Sequence, residues 1–368
     1  MIWQGEIIKD LIKKKNITLT KLANDLEVTR PTINEWTKGK IPKGIHILAL
    51  CRYFDLDPNE LFSVNHSDLI SIPQHRMRNT AKQTEDTNKL SHELASEYLS
   101  IFRNHEKSQL IQTYRDQYLS EENAKELATI LRKSINLDNN TPITYQKTFE
   151  LLSNLGVFAI FRNFPRNIKS YAFNCEISNK RVIFINTTTN ILDLIFPILH
   201  EVIHLIKENK NNAKEYDEVE ESYCDNVASY IQFPESYIEL IYSNISNIPK
   251  YGQKVNIVKQ YSSRFGHVGF GIVKRIQEKH PDFILNISPA DSNLRKDFPS
   301  IGEIIFESND SRIFVNTLRK LSPLFIDLIL DQLDFLGSRK ISELLDIENV
   351  IDAKSVRDEL LMLKRQRA

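Results

Sequence analysis

Residues 200–204 read His-Glu-Val-Ile-His inside the apolar run NILDLIFPILHEVIHLIKENK. Burying titratable groups without partners costs roughly several kcal/mol each, so something must satisfy these three. On a helix, His200 and His204 stand one turn apart on one face, and both rings reach a single ion. Glu201 projects beside them. This spacing suits a zinc ion held by two imidazoles, with the glutamate as general base. A catalytic zinc takes a third protein ligand and keeps one position open. No third histidine follows closely, because HEVIHLIKENK continues without one. The following segment EYDEVEESYCDNVASYIQFP offers Glu221 and Asp225, four apart and so on one face. Glu221 is the candidate third ligand, with Glu218 and Glu220 as competitors. Asp225 is placed to hold the outer nitrogen of a ligand histidine. Tyr171 and His267 are candidates for stabilising an oxyanion. Cys175 and Cys224 read as redox sensors or as inert buried thiols.

The elements that must position these residues are legible as periodicity. Ser120 caps a helix whose inward face is Leu127, Ile130 and Leu131, and the helix TYQKTFELLSNLG stops at Gly156. The period then changes to two. VFAIFR, SYAFNCEI and RVIFIN predict a small antiparallel sheet of three strands. A peptide strand adding to this sheet by main-chain hydrogen bonds is expected on the edge SYAFNCEI. TTTN caps the histidine-bearing helix, and Pro197 predicts a kink in it or a delayed regular start.

The first sixty residues predict five short helices. Thr18 caps the second and Thr29 the third, which has Pro31 in its first turn and Ile33 and Trp36 inward. Ile45, Leu48, Cys51 and Phe54 form the stripe of the fourth. DPNELF supplies a last turn, with Leu61 and Phe62 closing the core. Two helices joined by a tight turn in such a unit make a helix-turn-helix. The stretch LTKLANDLEVTRPTINEWTKGKIPKGIHILALCRYFDLDPNELF resembles the phage-repressor, Cro/C1-type (XRE) family, departing from it at Glu27, a turn position where that family usually has Gly. The resemblance implies double-stranded operator DNA as partner, with the third helix entering the major groove. Arg30, Thr32 and Glu35 then face base edges or nearby phosphates, and Lys38 and Lys40 meet phosphate. Basic residues outnumber acidic ones only slightly over 1–62, which favours a homodimer on paired half-sites.

A second resemblance covers residues about 125–235. Leu155-Gly156-Val157, the strand ending at Asn186, the segment from Phe196 to His204, and the helix from Glu221 to Pro234 occur in the order of the ImmA/IrrE metallopeptidase-like family. The resemblance implies a gluzincin-like zinc site and cleavage of a transcriptional repressor or similar protein partner. It also implies the context of phages and mobile elements, where such modules are fused to helix-turn-helix domains. This chain departs from the family at Ile203, usually Gly, at Pro197, and at Cys224-Asp225, usually Ala-Asn.

The expected architecture is multidomain and mainly α. Residues 1–63 form the helix-turn-helix domain and 64–89 a linker. Residues 90–250 form an α+β metallopeptidase-like domain with its core at 125–235, and 251–368 a helical region. Leu90, Leu94, Tyr98, Ile101 and Phe102, then Ile111, Tyr114 and Tyr118, mark a helix pair that belongs to this domain or serves as a dimerisation arm. The 368 residues carry 48 basic and 48 acidic side chains, so no global field draws the chain to nucleic acid or membrane. The start lacks a secretory signal pattern, no apolar run spans a bilayer, and three cysteines without a CxxC argue against a disulfide framework. The reading is cytoplasmic. Two functions fit: a transcriptional regulator that cuts a repressor or other partner with zinc, or a non-proteolytic regulator or antitoxin whose zinc domain senses a ligand or a toxin.

Overall fold

The computed structural model describes residues 2–3, 5–15, 17–54, 56, 61–63, 69–71, 73–77, 84–103, 114, 119–207 and 218–367. Contacts divide the chain into two compact units, Met1–Ser71 and Ile72–Ala368.

In the first unit, helices α1 (Gly5–Lys14), α2 (Leu19–Asp25), α3 (Arg30–Thr37) and α4 (Gly44–Phe54) surround a core of Ile8, Leu22, Ile33, Trp36, Leu50 and Phe54. The Thr18 hydroxyl accepts from the Lys21 amide and the Thr29 hydroxyl from the Thr32 amide. These bonds fix the starts of α2 and α3, as N-caps do. Glu27 takes φ 53 in the turn between them, a left-handed conformation that glycine adopts without strain. The Trp3 indole donates to the Trp36 carbonyl at 2.8 Å. Gly5 is required beside it, since a Cβ there would lie 1.8 Å from the Trp36 oxygen. Strands β1 (Ile2–Trp3) and β2 (Phe62–Ser63) pair antiparallel, an element without a signal in the sequence. The expected turn over 57–60 lies outside the described residues. The stripe on α4 differs from expectation. Ile45 and Leu48 are 73% and 52% exposed, whereas Leu50, Cys51 and Phe54 are buried. The set 47, 50, 51, 54 keeps the i, i+3, i+4, i+7 rhythm of one helix face, which successive steps of three drift away from.

The second unit is built on a sheet of four strands, not three. Its order is β3 (Gln74–Met77), β5 (Ser170–Ile177), β6 (Lys180–Asn186), β4 (Phe158–Arg162). The pairs β3–β5 and β5–β6 are antiparallel, but β4–β6 is parallel, so the expected all-antiparallel sheet is corrected. The β5–β6 connection is a two-residue turn, Ser178-Asn179, with φ 49 and 61. Positive φ at both positions matches the twist of a hairpin. β6 then inserts between β5 and β4. SYAFNCEI is therefore an inner strand, and β3, from the stretch expected to be linker, takes the edge. Helix also begins inside that stretch: Thr84 caps α5 (Glu85–Ser96), followed by α6 (Leu99–Arg103).

Both faces of the sheet are covered. On one side Tyr98 and Phe102, from the α5–α6 segment, contact Phe184 and Phe158, and Phe325 joins them from a later helix. This pair of helices is thus packed within its own unit. Tyr114 pairs with Lys207 as an isolated bridge, while Ile111 and Tyr118 lie outside the described residues. On the other side runs α9 (Ile191–Ile206), preceded by α7 (Glu121–Ser134) and α8 (Tyr145–Asn154) and followed by α10 (Glu218–Gln232). The Asn190 side chain caps α9, which continues through Pro197 without a break. Residues beyond Gln232 are helical, with a core of Phe233, Tyr237, Ile241, Val258, Ile272 and Ile276 next in the chain.

Candidate metal centre and DNA-reading helix

α9 is apolar nearly all round, and packing between the sheet and α10 buries all of it but Asp193 and Phe196, which are partly buried. His200 and Glu201 are 2% exposed and His204 6%. The imidazole Nε2 atoms of His200 and His204 face each other at 3.1 Å. The Glu221 carboxylate on α10 meets both, 3.2 Å from His200 Nε2 and 3.3 Å from His204 Nε2. Behind His200, Asp225 Oδ1 lies 2.8 Å from Nδ1. Behind His204, Nδ1 faces Glu220 at 3.5 Å and the Cys224 sulfur at 3.7 Å.

With a metal bound, protons on the Nδ1 atoms, which face Asp225 and Glu220, would leave each Nε2 as a lone pair. Two lone pairs and a carboxylate then converge on one point, an arrangement that repels itself unless a cation sits there. Ligand atoms about 2.0–2.1 Å from a tetrahedral zinc stand about 3.3 Å apart, close to the spacings seen. The donor set of two imidazoles and one carboxylate fits that ion. Without a metal, protons fill the same need. Burial opposes charge on His204, yet its contacts with Cys224, Glu220 and Glu221 outweigh burial and push its pKa up to about 12. Hydrogen bonding to His204 holds Glu220 down to about 2, and hydrogen bonds from His200 and His204 hold Glu221 lower still than usual.

Glu201 lies on the same helix and points to the sheet. Its Oε2 accepts a hydrogen bond from the side-chain amide of Asn174 on β5. Asn174 escaped sequence reading, since an asparagine inside a strand carries no motif. Cys224, read from the sequence as a redox sensor or an inert buried thiol, is a buried free thiol beside His204. Glu220, a competitor for the third ligand, sits behind His204 and also meets Lys207 at 3.4 Å. His267 is not brought to the cluster. It is buried beside Phe233, and its Nε2 lies 3.1 Å from the Tyr237 hydroxyl. Tyr171 is partly buried near Arg295, which forks onto Asp193 at 2.7 Å; that hydrogen-bonded carboxylate, more than Tyr171, raises the Arg295 pKa. The Cys175 thiol is buried and held protonated by burial.

On α3 of the first unit, Arg30, Asn34 and Glu35 are exposed, as are Lys38 and Lys40 after it. Thr32 is half-buried, and its hydroxyl lies 2.8 Å from that of Thr29 at the cap. Glu35 is paired with Lys40 at 2.7 Å. Asn34, four on from Arg30, shares its face and was not singled out from sequence.

No curated protein and no solved structure matches the chain. Residues 8–67 match the model of the Cro/C1-type HTH DNA-binding domain, and the first unit carries such a domain.

Proposed function

We propose that the protein is a DNA-binding transcriptional regulator whose second unit holds zinc through His200, His204 and Glu221 and hydrolyses a peptide bond of a repressor or partner protein. The observation that carries the metal is the convergence of His200 Nε2, His204 Nε2 and the Glu221 carboxylate within 3.3 Å of one another. The resemblance of residues 125–235 to ImmA/IrrE metallopeptidases supports the reaction class. Bound zinc supplies Lewis-acid polarisation of the scissile carbonyl. Glu201 takes the proton of the attacking water and returns it to the leaving amine. Asn174 holds the Glu201 carboxylate toward β5. Asp225 keeps the His200 ring in its ligating orientation. Zinc content of the purified chain, before and after chelation, tests the site; partner cleavage with and without Glu201 tests the reaction.

A second reading keeps the zinc and drops the cleavage: the unit senses a ligand or partner and passes the signal to the DNA-binding domain. One observation favours it. Strand β3 already covers the outer edge of β5, where a substrate strand would pair.

A further inference from the structure

We infer that the outer edge of β5 is a peptide-binding edge serving the candidate metal centre, and that residues 74–77 of the same chain occupy it as a displaceable strand. The inference rests on the metal-site reading of His200, His204 and Glu221. Without β3, the strands β4, β6 and β5 form a contiguous run in the sequence, and β5 is the antiparallel edge beside α9. Extended peptides join sheets at such edges, drawing affinity from main-chain hydrogen bonds and selectivity from alternate side chains. β3 comes from far upstream and pairs antiparallel with β5 in just this way. In its register Gln74 lies opposite Asn174, the residue that holds Glu201, and His75 lies opposite Phe173. The His75 ring packs on Phe173 at 5.0 Å, on the face turned away from Asn174. Gln74 is thus on the face of α9 and the cluster.

β3 is poorly made to be a permanent strand. Gln-His-Arg-Met contains no β-branched residue and no Phe, Tyr or Trp. Pro73 precedes it at once, and the register shifts between Arg76 and Met77. The Gln74 Oε1 atom is buried without a hydrogen-bond donor among the described residues, which costs stability. A partner segment with stronger strand propensity therefore competes well, although it meets a tethered rival at high effective concentration. The ligand class is an extended peptide running antiparallel to β5. It places a hydrogen-bonding side chain at the Gln74 position and a flat, apolar or aromatic one at the His75 position.

The test uses the full-length chain and a fluorescent synthetic peptide with the sequence of residues 69–80. Gln74→Pro/His75→Pro removes a ladder donor whichever of the two successive amides faces β5, and so disfavours β3 pairing. We expect the peptide to bind this double variant at least about tenfold more tightly than the wild type, in which the edge is filled. Equal binding to both, or binding to neither, overturns the inference. Hydrogen exchange of the wild type gives a second readout that does not need the variant to fold. Amides of β3 are expected to exchange much faster than those of β6. If both exchange equally slowly, β3 is a fixed part of the sheet and the inference fails. Neither readout requires metal, so a chain that takes up no zinc sinks the proposed site while leaving this result to be read on its own.

Discussion

Asn174 on β5 donates its side-chain amide to the Glu201 carboxylate on α9, joining the sheet to the helix that carries both histidines. Both residues are buried, Asn174 at 4% and Glu201 at 2% exposure. The bond fixes the rotamer of Glu201 relative to β5. Removing a donor from a buried carboxylate costs about 1–3 kcal/mol. Asn174→Ala is expected to lower the urea midpoint accordingly, with zinc content unchanged because Asn174 offers no ligand. A variant of wild-type stability would show that Glu201 does not depend on this bond.

The candidate metal centre predicts a graded series. His200→Ala, His204→Ala and Glu221→Ala each remove a converging donor and are expected to abolish zinc uptake measured by elemental analysis. Asp225→Ala removes only the group behind His200, and such outer partners are worth about 10–100-fold in affinity. Glu220→Ala is expected to do least, since Glu220 faces the outer nitrogen of His204 and Lys207. Full occupancy in Glu221→Ala would move the third ligand to Glu218 or Glu220.

The helix-turn-helix domain was legible because its signals are local. Thr18 and Thr29 announce helix starts by residue type alone, and Leu22, Ile33 and Trp36 keep one periodic face. The candidate site residues were legible for the same reason: the ligand pair His200 and His204, and then Glu221 and its outer partner Asp225, are each one turn apart on a single helix. The sheet was less so. Nothing in Gln74–Met77 favours a strand, and its pairing with β5 is set by the surrounding fold. The parallel β4–β6 pair depends on β6 inserting between its two predecessors, a choice that strand periodicity does not encode. On α4, burial of Leu50 in place of Leu48 turns on a rotation of the helix by a fraction of a turn, which alternative apolar stripes leave open.

DNA binding should separate Arg30 from the lysines. Arg30→Ala is expected to relax base preference at one position of the operator, at a cost of about 1–3 kcal/mol for the preferred base. Lys38→Ala should weaken all sequences alike and reduce the salt slope by about 0.9. Lys40 is already paired with Glu35, so Lys40→Ala should weaken binding less than Lys38→Ala. Glu35→Ala frees that lysine and should tighten non-specific binding. Fluorescence anisotropy over a salt series measures all four, and identical slopes in wild type and Lys38→Ala would remove Lys38 from the interface.

Acid sensitivity should come in part from buried histidines away from the metal centre. Burial lowers His267 from its ordinary 6.5 to about 4, and His75 likewise to about 4. Each stays neutral in the folded chain while the unfolded chain takes up a proton below 6.5. Their stabilisation is present above pH 6.5 and is lost as pH falls toward 4, by up to about 3 kcal/mol for a fully buried group. His267→Gln keeps a polar partner for Tyr237 and does not titrate. Its loss of stability between pH 6.5 and 4, from denaturant unfolding, should be smaller than that of the wild type. An unchanged profile would mean that His267 is already charged in the folded protein.

The choice between cleavage and sensing falls on Glu201. Gln at this position keeps the size of the side chain and an oxygen that can accept from Asn174, so packing and the metal ligands stay in place. What it removes is the base. Positioned proton transfer contributes about 10²–10⁴-fold to rate, enough to abolish partner cleavage in cells. Under the hydrolytic reading, Glu201→Gln keeps zinc and operator DNA yet gives the same regulatory phenotype as His200→Ala. Under the sensing reading, Glu201→Gln behaves as wild type, and only His200→Ala, which loses the metal, disrupts the response. Both variants are to be compared in one transcriptional reporter, with zinc content measured on the same preparations. A silent Glu201→Gln beside an inactive His200→Ala would rule out proteolysis, because no hydrolytic route through this site dispenses with the carboxylate.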